Sequence, residues 1–403
     1  MTDPDPTPTA WPALTYETLP WELSETVPVS RTARRRHRGT YEAAVVPEIV
    51  GQDVLLPAEV AALVEDASTE VARFDSEMGT ELAPFSAILL RSESAASSKI
   101  ENLTASARAI AEAELHPHAR GNASLIVANT RSMNAAIALS DRIDADAILG
   151  MHEALLSQSR PDIAGRWRSE QVWIGGSDLG PHGALFVPPR HDRVPESIED
   201  LVAFIDRDDI PVLVHAALAH AQFETIHPFP DGNGRTGRAL LHAQLQNKGL
   251  TRNVTVPVSA GLLTNTDEYF DALSEYRNGN PLLIVASVAW ASLAAVGNGR
   301  QLIRDLRGVR SSWDERVKVR RGATAWKIAD LLLRHPVVNA PLIAEELGIA
   351  GQNTYRSLQP LVDAGVLVEF SDRKRNQLWR APEALEALDR FAARAGRRSR
   401  SAQ

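Results

Sequence analysis

Cysteine is absent from all 403 residues. Its absence excludes disulfides, a cysteine nucleophile and thiolate metal sites, and it fits a cytoplasmic chain. A basic excess is missing too. The net charge of −8 argues against a protein that coats nucleic acid, although one basic domain can hide in that total. Long apolar runs are also lacking. The longest, Leu282 to Val296 (LLIVASVAWASLAAV), is short for a membrane span and contains Ser287 and Ser292, so a buried helix and no membrane partner are expected. The first residues, MTDPDPTPTAWP, are acidic and proline-rich rather than basic and then apolar, and no signal peptide is expected. What remains is an ordinary globular composition, 44% hydrophobic and 23% charged, long enough for two or three domains.

Residues 1–40 lack apolar periodicity and end in Arg34-Arg35-Arg36-His37-Arg38, so they are expected to form a solvated, disordered arm. Residues 41–140 read as helical, with Pro57 near the start of VAALVEDASTEVARF. Over 141–297 the helical pattern continues, broken by VWIGGSDLGPHGALFVPP, a hairpin signature, and by a polar dodecamer at His227–Arg238. A charged connector is expected over 298–320. Residues 321–391 then carry three helices, with Asn339 as a candidate cap, and a hairpin around Ser371–Asn376, which is a winged helix-turn-helix pattern. A basic tail over 392–403 follows. The expected fold class is mainly α: an all-helical core with a small β-hairpin flap and a C-terminal winged helix-turn-helix domain.

The dodecamer, HPFPDGNGRTGR, is too polar and too rich in glycine to fill a core. Gly232 and Gly234 permit positive φ and close approach by a ligand. A glycine turn running straight into a helix aims unsatisfied amides and the positive helix end at one spot, which suits phosphate. Arg235 and Arg238, three apart on the new helix, can face the same anion. Asp231 beside an anion pocket implies a bridging cation, and Mg²⁺ is the natural candidate. His227 supplies an imidazole, a group whose unperturbed pKa of about 6.5 lets it take a proton from a hydroxyl. Together these parts suit phosphoryl or nucleotidyl transfer to a hydroxyl. No GKS or GKT follows the glycines, so a P-loop is excluded, and no strand precedes them, so a Rossmann loop is excluded as well.

The stretch resembles the Fic (filamentation induced by cAMP; Fido) family motif, HPFx(D/E)GNGRxxR, at every specified position. The resemblance implies transfer of AMP from ATP to a Ser, Thr or Tyr hydroxyl of a target protein. It implies His227 as general base and Asp231 as Mg²⁺ ligand. The amides of Gly232 to Gly234 and the Asn233 side chain would surround the α-phosphate, and Arg235 and Arg238 would hold the β- and γ-phosphates. Thr236 and Gly237 fall within the same nucleotide-binding set. GNGR after Asp231, rather than ANKR, favours AMP transfer over the phosphate transfer of the related Doc toxins. GRWRSEQVWIGG and the flap ALFVPP resemble the core upstream of that motif. An exposed edge at Ala184, Leu185, Phe186 and Val187 would dock an extended target segment by strand addition. YFDALSEYRNGN resembles the segment closing the adenine side, making Tyr269 either an ATP contact or a core aromatic.

Ser97-Ser98-Lys99-Ile100-Glu101-Asn102 matches the family's inhibitory pattern, (S/T)xxxE(G/N), through Ser97, Glu101 and Asn102. It precedes the core, which resembles the class with an N-terminal inhibitory helix. There Glu101 would pair with Arg238 and leave ATP misaligned, and in some relatives the glutamate also supports removal of AMP. A plain surface glutamate is the alternative.

From Arg321 onward, 13 Lys/Arg stand against 9 Asp/Glu, and Arg373, Lys374 and Arg375 would tip the wing. That leaves a second functional class open, a DNA-binding transcriptional regulator with the Fic core as nucleotide sensor. Pro360 within the presumed recognition helix argues against it. A protein-interaction or homodimer-packing module is the other reading of this domain.

Overall fold

Helices dominate the fold and strands are few, as the periodicity predicts. The structure, a computed structural model, describes residues 11–24, 26, 28–79, 84–116, 119–370 and 377–396. The chain divides into two units. Met1–Val64, Ala135–Asn247 and Asp267–Ser287 form the first, and Glu65–Asn134, Lys248–Thr266 and Val288–Gln403 the second.

In the first unit, β1 (Thr15–Trp21) pairs antiparallel with β2 (Gly39–Val45), in register from Thr15↔Val45 to Trp21↔Gly39. β1, Gly39 and Thr40 lie where a disordered arm was expected, and Tyr41–Val45 where helix was expected. The basic run mostly forms a short helix, Arg31–Arg36, whose N-cap Ser30 accepts from Ala33 N at 3.1 Å. Tyr41 and Ala43 of β2 cluster with Val187, Leu19, Trp21 and Trp173, and that apolar face holds the hairpin in place.

The centre of this unit is the helix Val212–Ile226, in which every residue from Leu213 to Ile226 is buried. A helix buried on every side belongs in a core, and its polar side chains find partners there, as Gln222 Oε1 does by accepting from Tyr276 Oη at 2.9 Å. The helix Asn233–Asn247 packs against it closely at Gly237. A β-carbon there would come within 2.8 Å of Phe223 Cδ1 and 2.9 Å of Glu224 Oε1. The helix Ala145–Leu156, capped by Asp144 accepting from Ala147 N at 2.9 Å, packs against Asn233–Asn247 as well. These three helices position the dodecamer.

The second unit contains the helix Pro84–Ile100, which carries the expected inhibitory pattern. It buries Glu93, Ser94, Ser97 and Ser98 completely. Their polar groups are satisfied locally: Ser259 N donates to Glu93 Oε2 at 2.8 Å, and Asn129 Nδ2 donates to Ser94 O at 2.9 Å and Ser98 Oγ at 3.2 Å. The expected connector over 298–320 is mostly helix, because Leu282–Arg316 runs unbroken for 35 residues. Leu302, Ile303, Leu306 and Trp313 are buried along it, while Arg300 pairs with Glu70 and Glu77, and Arg310 with Asp314 and Asp330. By length and composition this helix is apolar enough to cross a membrane, but half of its most apolar window is buried inside the fold.

Next come the helices Thr324–Arg334, Ala340–Leu347 and Gly351–Asp363, with a three-stranded antiparallel sheet of order β3-β5-β4 formed by Val337–Asn339 (β3), Val368–Glu369 (β4) and Leu378–Arg380 (β5). A helix, Pro382–Ala395, then follows, and its buried Leu388, Phe391 and Ala395 carry it into the start of the expected basic tail. Asn339 caps as expected, accepting from Leu342 N at 2.8 Å. Pro360 is accommodated inside the third helix. Arg373, Lys374 and Arg375 lie outside the described residues.

Candidate active site

The dodecamer begins where the helix Val212–Ile226 ends. His227 takes a left-handed conformation (φ 50°, ψ 60°), and its N–H donates to Phe223 O at 2.9 Å. Among the described residues only Asn102 and His227 are non-glycines with positive φ. A bulky residue pays for αL with about 1–2 kcal/mol, and the proline that follows here disfavours α-region geometry further. Strain of this kind persists only where surroundings enforce it.

The enforcing groups are buried. Arg168, 3% exposed, donates through Nε to His227 O at 2.9 Å, and its backbone N–H donates to Pro228 O at 3.0 Å. Phe229 is fully buried, stacked on His152 (centroids 3.7 Å apart, planes 6°) and on Trp167 (5.0 Å, 27°). Burial lowers the His152 pKa to about 4, so the ring is neutral at pH 7 and has one donor and one acceptor. Gly165 N–H donates to its Nδ1 at 3.1 Å, which leaves Nε2–H to donate to Asp231 O at 3.0 Å. His152 therefore grips the loop next to the carboxylate.

Asn233 departs from expectation. Its Oδ1 accepts from Phe229 N and its Nδ2 donates to Phe229 O, both at 2.8 Å, and the side chain is buried. The amide closes the loop as a cross-brace, and both ends of it are committed to backbone rather than aimed at a phosphate. Asn233→Ala is expected to leave that N–H and C=O buried without partners, at about 1–3 kcal/mol each. A denaturation midpoint unchanged within error would refute the brace.

Gly232, at φ 80°, turns the chain where a β-carbon would approach Leu155 Cδ2 to 3.0 Å. The helix then starts at Asn233, and Gly234 falls in its first turn with its amide among those left for an anion. Arg235 and Arg238 are almost entirely buried, at 5% and 2% exposure. Arg235 Nη2 lies 3.5 Å from Asp231 Oδ1, which also accepts from Gly232 N at 2.6 Å. The Asp231 side chain remains 52% exposed. Among the described residues no cluster of three His, Cys, Asp or Glu could cage a metal. A single exposed carboxylate beside an anion-binding helix end suits Mg²⁺, which is held by one or two carboxylates together with phosphate oxygens and water.

Tyr269 is 1% exposed, and its hydroxyl lies 2.8 Å from His220 Nε2. Burial and then the neighbouring Arg238 charge lower the His220 pKa to about 3. Tyr269 thus takes the core-aromatic role, and its ring is not presented as an open adenine contact. Thr236 is likewise wholly buried.

The flap is held by an isolated bridge, Ile174↔Phe186. Leu185 is 86% exposed, whereas Phe186 and Val187 are buried, with the Arg277 guanidinium 3.8 Å above the Phe186 ring. The edge expected to be open is partly taken by the chain itself, because Ala44 N donates to Val187 O at 3.0 Å.

In the second unit, the pattern residues end a helix. Asn102 N donates to Lys99 O and Leu103 N to Ser98 O, both at 3.0 Å, with Asn102 at φ 60°. This is a Schellman cap with Asn102 as its left-handed residue and Glu101 one position before it. The Gly/Asn requirement of the pattern is thereby explained, since those two residues enter αL most readily.

His152 and Arg168 were not legible as site residues. The first reads as a histidine on an apolar helix face and the second as one arginine among many. The one sequence signal is that Arg168 falls within GRWRSEQVWIGG, a stretch whose resemblance to the family core marks the segment and not the side chain.

Residues 142–245 match the family model described as Fic/DOC family. The protein adenylyltransferase fic-1 of Caenorhabditis elegans is 33% identical over 39% of this chain and 28% of its own length. A probable protein adenylyltransferase of Aquifex aeolicus is 38% identical over 28% of this chain and 36% of its own. The matched stretch thus spans about a third of these relatives. A Fic family protein from Desulfovibrio desulfuricans, 22% identical, superposes with a TM-score of 0.51 over 81% of this chain and 97% of that one, a likeness of fold.

Proposed function

From the match of residues 142–245 to the Fic/DOC family model, we propose that this chain transfers AMP from ATP to a Ser, Thr or Tyr hydroxyl of a protein target. The observation that carries this reading is the loop itself, with a histidine locked in αL at one end and a helix N-terminus with two buried arginines at the other. The His227 imidazole removes the hydroxyl proton as that oxygen bonds to the α-phosphorus. The α–β bridging P–O bond breaks, and pyrophosphate leaves with its electron pair. Amides at the start of Asn233–Asn247 receive the charge that builds on the α-phosphate, in a geometry fixed before the reaction begins. Arg235 and Arg238 hold the leaving phosphates, and their burial strengthens each charge-assisted bond.

Asp231 would hold Mg²⁺ together with the phosphates, and the ion would neutralise phosphate charge. Asp231→Ala is expected to lose Mg²⁺-dependent transfer and to weaken Mg-ATP binding, read by calorimetry with and without Mg²⁺. An unchanged Mg²⁺ dependence removes Asp231 from this role.

We propose further that Glu101 restrains the transfer. The match of SSKIEN to the inhibitory pattern and the capped helix end that presents Glu101 support this. Over Thr324–Arg380, the order of helices and strands supports a winged-helix module.

A further inference from the structure

One buried side chain touches both backbone segments that the proposed reaction must keep in register. Besides its bond to His227 O, the Arg168 guanidinium donates through Nη1 to Glu170 O at 3.2 Å. Its Nη2 donates to Pro189 O and lies 3.5 Å from Ile226 O. Pro189 closes the flap, while Ile226, His227 and Pro228 carry the base. Among the described residues every acceptor of the Arg168 guanidinium is a backbone carbonyl, not a carboxylate. Burial lowers its pKa to about 10, and the group remains a cation at neutral pH. Its neighbour Gln171 continues the strap on one side only, donating through Nε2 to Pro188 O at 2.8 Å and accepting from Tyr41 Oη at 3.3 Å.

We propose that Arg168 is a positioning residue that fixes the flap and the left-handed His227 to each other, so that docking a target and aligning the base are one event. The proposal rests on the AMP-transfer reading for its kinetic consequence but not for its mechanical one. The planar fork is needed because carbonyls from three segments surround it, a set that three ammonium donors on one flexible stem cannot span.

Two measurements on the folded full chain test this. In wild-type native-state hydrogen exchange, the amides of Leu185, Phe186 and His227 are each bonded within the fold, to Ile174 O, Ile174 O and Phe223 O. They are expected to exchange through one shared opening, with a common dependence on denaturant. Flap amides that open independently of His227 would overturn the strap, with no variant and no activity required.

The second measurement is kinetic. Arg168→Lys is expected to lower kcat and raise KM for the protein target, each by about tenfold, and to leave the KM for ATP unchanged, because the phosphate end of the loop is gripped by other residues. Gln171→Leu, which loosens only the flap, is expected to raise the target KM alone. A merely structural Arg168 would lower the folded fraction, and hence kcat, without moving either KM, and that outcome would overturn the proposal. Absence of transfer in wild type would instead remove the AMP-transfer reading, while the exchange measurement would still decide the strap.

Discussion

His227→Ala is expected to lower AMP transfer by about a hundred- to ten-thousandfold, the usual contribution of a positioned general base. ATP binding should persist, because the helix amides and both arginines are untouched. Stability should change little, since alanine keeps the β-carbon that makes αL costly and the backbone bonds that enforce the turn are untouched. The measurement is single-turnover transfer alongside ATP titration of the same preparation. Retained wild-type transfer would show that another group takes the proton. Loss of transfer together with loss of ATP binding would show that the imidazole supports the loop rather than the chemistry.

Glu101→Gly is expected to raise transfer by at least about tenfold, the scale of restoring one misaligned group. The structure makes this substitution informative because the helix end is closed by backbone groups. The cap is made by Asn102 N, Leu103 N, Lys99 O and Ser98 O, with Asn102 in αL. Glu101→Gly therefore leaves the cap bonds in place, and Glu101→Gln removes only the charge. Both should activate if negative charge is the restraint. Arg238→Ala should be inactive, as should the double variant, because the arginine assigned to the γ-phosphate is then missing. An unaltered rate in both Glu101 variants would remove the inhibitory role and leave the enzyme reading intact.

How much of this was legible depended on how far each cause lies along the chain. The dodecamer gave itself away because its chemistry is packed into adjacent residues. The Asn339 cap and the hairpin that follows the third C-terminal helix are also local patterns, and both were readable. The β1–β2 hairpin was hidden for the opposite reason. β1 is mostly exposed, contains Pro20, and draws its support from Trp173 and Val187 far along the chain. The helix through 298–316 was masked because its buried Leu302, Ile303, Leu306 and Trp313 sit among arginines whose partners, such as Glu70, Glu77 and Asp330, come from other segments. Asn233 was assigned to phosphate because its identity is visible in sequence while its commitment to Phe229 is not. Arg168 is the extreme case: the stretch around it, GRWRSEQVWIGG, marks the segment, but the carbonyls it binds at Pro189, Ile226 and His227 lie far along the chain.

The central claim is that the loop moves AMP, and isotopic position within ATP tests it most directly. The Glu101→Gly protein would be incubated with Mg-ATP labelled on either the α- or the γ-phosphate, with His227→Ala in the same background as control. Covalent label on protein from the α-position alone, absent in the His227 variant, is the predicted result. Label from the γ-position would make the chain a phosphate transferase, and label from neither position, with ATP bound, would contradict the account.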